Sequence, residues 1–118
     1  MKSAVIISGP MAQDHEFIYP YYRLLEEKIK LDVCLIGGKP VSGILGTPLP
    51  PNKNHTVKDI DQLNVNDYDL LVLPGGVKAM EKIRQDKRLI SFISNFHKAD
   101  KLIACICSGA QLLISAKI

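Results

Sequence analysis

The chain has 118 residues, 47% of them hydrophobic and 23% charged, with a formal net charge of +3. That length and balance predict one globular domain, residues 1–118, able to bury a core of its own. No apolar run is long enough to cross a bilayer, and the lysines are scattered with no aromatic-interleaved basic stripe, so neither membrane nor nucleic acid is an expected partner.

In chain order, Ala4–Ser8 reads as a first buried strand ended by Gly9-Pro10. The N-terminal run is too short for the apolar region of a signal peptide, which predicts a cytoplasmic location and reduced cysteines. Asp14 is placed to cap a helix over residues 15–30, with Phe17, Ile18, Tyr21, Leu25 and Ile29 on one face and a local irregularity at Pro20. Leu31–Ile36 follows as a second strand, closed by Gly37-Gly38. Residues 41–68 hold Gly43, Gly46, Pro48, Pro50 and Pro51, which predicts short strands or a hairpin. Asp69–Leu73 reads as a fully buried strand broken by Pro74-Gly75-Gly76. A short helix over 77–84 comes next, then a second from about Asp86 that buries Leu89, Ile90, Ile93 and Phe96. Leu102–Ile106 is the last strand, and a helix runs from about Gly109 to the end.

Continuously apolar strands separated by helices imply a mostly parallel sheet covered on both faces, a flavodoxin-like three-layer α/β/α sandwich. In such sheets function collects at the carboxyl ends of the strands, so Cys107, the Gly75-Gly76 turn and the start of the first helix are expected to converge.

Cys107 lies where the last strand turns into a helix, the layout of a nucleophile elbow with sulfur in place of a hydroxyl. The amides of the following helix favour a thiolate there. The other reading is a buried cysteine acting as a small hydrophobe. The backbone amides of Gly75 and Ser108 are the candidate oxyanion donors, although Gly75-Gly76 could equally be no more than a tight turn. Glu16 is the candidate acid beside Cys107, able to hydrogen-bond the sulfur or relay a proton; alternatively it is a first-turn carboxylate facing water. No histidine is convincingly placed as a base: His15 neighbours Glu16, His55 falls in the irregular segment, and His97 ends a helix on the far side. Cys105 and Cys107 lack metal-site spacing and Cys34 belongs to another strand, so no metal and no cofactor is expected.

Together, Leu73-Pro74-Gly75-Gly76, the elbow Ala104–Leu113 and Asp14-His15-Glu16-Phe17-Ile18-Tyr19-Pro20 resemble the ThiJ/PfpI family of the class I glutamine-amidotransferase-like superfamily. The resemblance covers nearly the whole chain in the right order. It implies a flavodoxin-like sandwich, a homodimer or higher homo-oligomer, Cys107 as the reactive cysteine, Glu16 as its acidic neighbour, and Gly75 with Ser108 as backbone donors. The family's members are described as cysteine peptidases, glyoxalase- or deglycase-type hydrolases, chaperones and oxidative-stress proteins. Two departures stand out. Peptidase-like members carry histidine directly after the cysteine, where this chain has Ser108, and typical members continue with further strands beyond the elbow helix. The domain is therefore expected to be truncated at its C-terminal end, leaving the Leu102–Ile106 strand at an open edge that invites association.

Three functions follow as expectations. The first is a cysteine-dependent hydrolase or deglycase acting on small carbonyl or acyl compounds or peptides. The second is a redox sensor or stress chaperone in which Cys107 is oxidised without turnover. The third is an inactive remnant completed by self-association.

Overall fold

A computed structural model describes residues 2–118; Met1 lies outside the described residues. The elements run β1 (Ser3–Ser8), α1 (Asp14–Glu26), β2 (Lys30–Leu35), β3 (Val41–Ser42), β4 (Pro48–Leu49), β5 (Val57–Lys58), β6 (Leu70–Leu73), α2 (Val77–Ile83), α3 (Lys87–Lys98), β7 (Leu102–Cys105) and α4 (Gln111–Ser115). Short 3₁₀ turns cover 60–62, 65–67 and 107–110.

The most apolar strands take the middle of the sheet. β1 and β6 are buried along almost their whole length, and β-branched Val5, Ile6, Ile7 and Val72 suit a strand covered on both faces. The sheet has five strands in the order β5-β2-β1-β6-β7, with every pair parallel. This is the expected flavodoxin-like sandwich. The irregular segment forms the antiparallel β3–β4 hairpin outside the sheet. The chain steps one way from β1 to β2 and the opposite way from β6 to β7, so the loops that leave β1 and β6 diverge. Right-handed crossovers put the intervening helices on opposite faces, and the crevice opens between β1 and β6 at their carboxyl ends.

α3 shows how the helices hold on. Asp86 caps it by accepting from the Arg88 amide at 3.0 Å, and Leu89, Phe92, Ile93 and Phe96 are buried at helical spacing. Each such side chain contributes roughly 1.5–3 kcal/mol on leaving water.

α1 departs from expectation in three ways. Its cap is Gln13, whose side chain accepts from the His15 amide at 2.9 Å; Asp14 is instead buried inside the first turn. The helix ends at Glu26 and not near residue 30. Lys28 adopts a left-handed φ of 57°, its amide bonds Leu25 O, and the Ile29 amide bonds Leu24 O. That is a Schellman ending with lysine where glycine is usual, so the sequence carries no stop signal. Leu25, placed on the buried face by spacing, is exposed, its neighbour Leu24 packs against the core instead, and Ile29 packs from outside the helix. Pro20 sits inside the continuous helix, where it has no N–H to offer the Glu16 carbonyl one turn earlier.

β7 also differs from the other long strands. It pairs only with β6, alternates exposed and half-buried residues, and leaves Leu102 57% exposed. Among the described residues β7 is thus an edge strand of the sheet.

Candidate active site

Three loops meet at the crevice: residues 9–13 after β1, Pro74-Gly75-Gly76 after β6, and Ile106-Cys107-Ser108 after β7. The Ile106 amide still bonds Leu73 O at 3.0 Å, after which the chain turns abruptly. Cys107 takes φ +51°, the left-handed region that a non-glycine residue enters at a cost of roughly 1–3 kcal/mol. The turn over Cys107–Ala110 then leads into α4. Cys107 is exposed, so the reading of a buried packing cysteine does not fit its environment. Cys34 is the buried one. Burial pushes its thiol up to about 12, and burial also raises that of half-buried Cys105.

The remaining candidates gather at the same place. A cavity of about 410 Å³ is lined by Gln13, Glu16, Ile44, Gly76, Val77, Lys78, Cys107 and Ser108. Gly75 is the pivot beneath it. A Cβ on Gly75 would collide with Glu16 Oε1 and would stand 3.1 Å from Cys107 Cβ, so the carboxyl group and the elbow press on the same backbone atom. Glu16 Oε1 is buried without a hydrogen-bond partner, and no hydrogen bond joins Glu16 to Cys107.

Ser108 has a role that the sequence did not reveal. Its Oγ accepts from the Gly76 amide at 2.9 Å and ties the elbow to the turn after β6. The Gly75 carbonyl accepts from the Gln13 amide at 3.2 Å, which ties the same turn to the start of α1. The Gly76 amide is thereby occupied. Among the described residues the Gly75 and Ser108 amides make no such bond.

None of the histidines lines the cavity. His15 is exposed and stacks on Tyr19, and His97 is exposed on α3. His55 bridges the Tyr21 hydroxyl at 2.7 Å and Leu31 O at 2.9 Å. Because a carbonyl only accepts, Nε2 carries the proton and the tyrosine donates to Nδ1. A second, larger concavity of about 590 Å³ runs along α1 past Tyr19, Pro20 and Tyr22 to Ile106; it meets the first at Glu16 but does not include Cys107. Among the described residues no group of three or more His, Cys, Asp or Glu side chains is placed to hold a metal ion. Among the described residues no helix is long and apolar enough to cross a membrane.

The sequence reading missed Gln13, Ile44, Val77 and Lys78. Gln13, Val77 and Lys78 flank turns already singled out, and adjacency alone could have nominated them. Ile44 had no such signal.

The family model described as DJ-1/PfpI family matches residues 2–118. The chain belongs to the DJ-1/PfpI family. It is 39% identical to "Protein/nucleic acid deglycase 2" of Escherichia coli (strain K12), covering 99% of this chain and 65% of that protein. It is 40% identical to "General stress protein 18" of Bacillus subtilis (strain 168), covering 98% of this chain and 65% of the relative. The crystal structure of Drosophila melanogaster DJ-1beta superposes with a TM-score of 0.86 at 24% identity, covering 99% of this chain and 61% of that one, a likeness of fold. The chain thus spans less than two thirds of the length of these DJ-1/PfpI relatives.

Proposed function

We propose that this chain carries cysteine-dependent hydrolase or deglycase chemistry on small carbonyl or acyl compounds, with Cys107 as the nucleophile. The observation that supports this most is the meeting of Glu16 Oε1 and Cys107 at Gly75, beneath a cavity of small-molecule size. A buried carboxyl oxygen without a partner is costly in a site with no polar task, and this one lies beside an exposed thiol on a strained elbow. Relatives bearing the name deglycase support the same class of reaction.

In this reading the Cys107 thiolate gives its electron pair to the carbonyl carbon. The C–S bond forms and the π pair moves to oxygen, where the Gly75 and Ser108 amides receive the charge. Collapse expels the leaving amine or alcohol with a proton relayed by Glu16. Water then cleaves the thioester, releasing the acid and restoring the thiol. Ser108 does not act as a base; its hydroxyl accepts from Gly76 and holds the two donor strands together.

Turnover of a small aryl ester and amine release from a small activated amide test the proposal. Cys107→Ala is expected to lose at least about 100-fold, and Glu16→Gln about 100- to 10,000-fold, the range of a single proton-transfer group. Unchanged turnover in Cys107→Ala would remove the thiol from the mechanism.

A further inference from the structure

Asp14 is the buried carboxylate that the proposed chemistry does not use. Its Oδ1 accepts from the Leu45 amide at 2.8 Å and its Oδ2 from the Thr47 amide at 3.0 Å, so both oxygens grip the loop joining β3 to β4. Burial alone would raise this carboxyl group, but hydrogen bonds from Thr47 and Leu45 outweigh it and hold the group below its ordinary value of 3.8. Gly43 lies flat against the same carboxylate, where a Cβ would come within 2.5 Å of it. Two backbone bonds complete the attachment: Met11 N–H to Ser42 O at 3.0 Å and Ile44 N–H to Ala12 O at 2.9 Å.

The loop thus clamped presents Ile44 at its tip. Ile44 is 47% exposed, belongs to no part of the core, and lines the cavity that holds Cys107 and Glu16. An apolar side chain left at the mouth of a cavity, on a loop fixed to a rigid helix start, is suited to recognition more than to packing.

We propose that Ile44 sets the size of the group that can reach Cys107, and that Asp14 is the positioning residue that keeps it there. The inference rests on the reading of Cys107 as the reacting atom, and it commits the site to discriminating substrates by the size of the apolar substituent on their carbonyl. One methylene gained or lost in an apolar pocket changes discrimination by roughly tenfold or more, so truncating Ile44 has a measurable consequence.

The test uses alkylation and needs no turnover. The full chain is treated with iodoacetamide and with N-benzyl-iodoacetamide, and the rate at Cys107 is read by fragment-ion mass spectrometry. The bulky-to-small rate ratio is expected to rise at least about fivefold in Ile44→Ala and to fall in Ile44→Trp. Asp14→Asn sets an amide NH₂ against one of the two loop N–H donors and is expected to raise the ratio in the same direction as Ile44→Ala. Should that buried substitution unfold the chain, Gly43→Ala displaces the loop from the Asp14 side and is expected to do the same. An unmoved ratio in Ile44→Ala overturns the size gate. A ratio that moves there but not in Asp14→Asn or Gly43→Ala overturns the role of Asp14. Because the ratio is independent of catalysis, absent turnover with a shifted ratio would sink the hydrolase reading while leaving the gate standing.

Discussion

Cys34 lies in β2 between β1 and β5, completely enclosed, with its thiol pushed up to about 12 by burial. Cys107 lies at the end of β7 on a left-handed residue, open to a cavity that also holds Glu16. The two side chains are chemically identical, so whatever separates their reactivity is supplied by position. In β2 the thiol is a small apolar filler whose ionised form the interior excludes. At the elbow the chain spends backbone strain to bring the same group into the crevice where the crossovers diverge.

The contrast should be largest in direct chemistry. At pH 8 a thiol titrating near 12 is ionised in about one molecule in 10,000, and Cys34 is enclosed besides. Mild peroxide is therefore expected to oxidise Cys107 at least about 100-fold faster than Cys34 in the folded chain, read by peptide mass spectrometry. Equal oxidation of the two would dissolve the comparison. Selective oxidation without any turnover would favour the sensor reading over the hydrolase one.

Alkaline stability reads the other side of it. The folded Cys34 thiol keeps its proton up to about 12, while in the unfolded chain it loses it near 9.0. Between those values the native state binds more protons, so stability falls as pH rises, by about 1.4 kcal/mol per pH unit at full effect. The contribution is fully present below about pH 9 and lost toward 12. Denaturant unfolding from pH 8 to 11 should show this decline, and Cys34→Ala should make it shallower. Tyr21 and Tyr68, also raised by burial, keep the limb from vanishing. A slope identical in Cys34→Ala would mean the thiol is not sensed by the fold.

Gly75→Ala acts on the elbow alone. The new methyl meets Glu16 Oε1 and Cys107 Cβ, and overpacking of this kind costs about 1–3 kcal/mol. Unfolding midpoints should drop accordingly, and oxidation at Cys107 should change while Cys34 remains unreactive. A variant as stable as the parent would show that Glu16 moves aside freely and is not held against the elbow.

Much of the fold was legible because it depends on apolar pattern. Val5-Ile6-Ile7, Leu70-Leu71-Val72-Leu73 and the spacing of Leu89, Ile93 and Phe96 each admit one economical burial, and the structure uses it, although Ile90, expected on that face, is only half-buried and Phe92 takes its place in the core. Boundaries were less legible where the stop signal is carried by conformation. α1 and α3 end on left-handed Lys28 and Asp100, and no glycine marks either turn. Asp14 looked like a cap because it precedes the apolar spacing, yet Gln13 caps and Asp14 holds a loop thirty residues on, a pairing no local pattern encodes.

Chemistry-bearing residue types and their positions, Cys107, Gly75 and Ser108 after strand ends and Glu16 in the first turn of α1, were thus determined by sequence alone. Those places follow from hydrophobic periodicity and turn residues, which act over a few neighbours. Tertiary structure decided which of them touch: the shared contact of Glu16 and Cys107 at Gly75, the bond from Gly76 to Ser108, and Ile44 at the mouth. Those contacts join segments far apart in the chain, and their geometry exists only once the parallel sheet has set the separation of its strand ends.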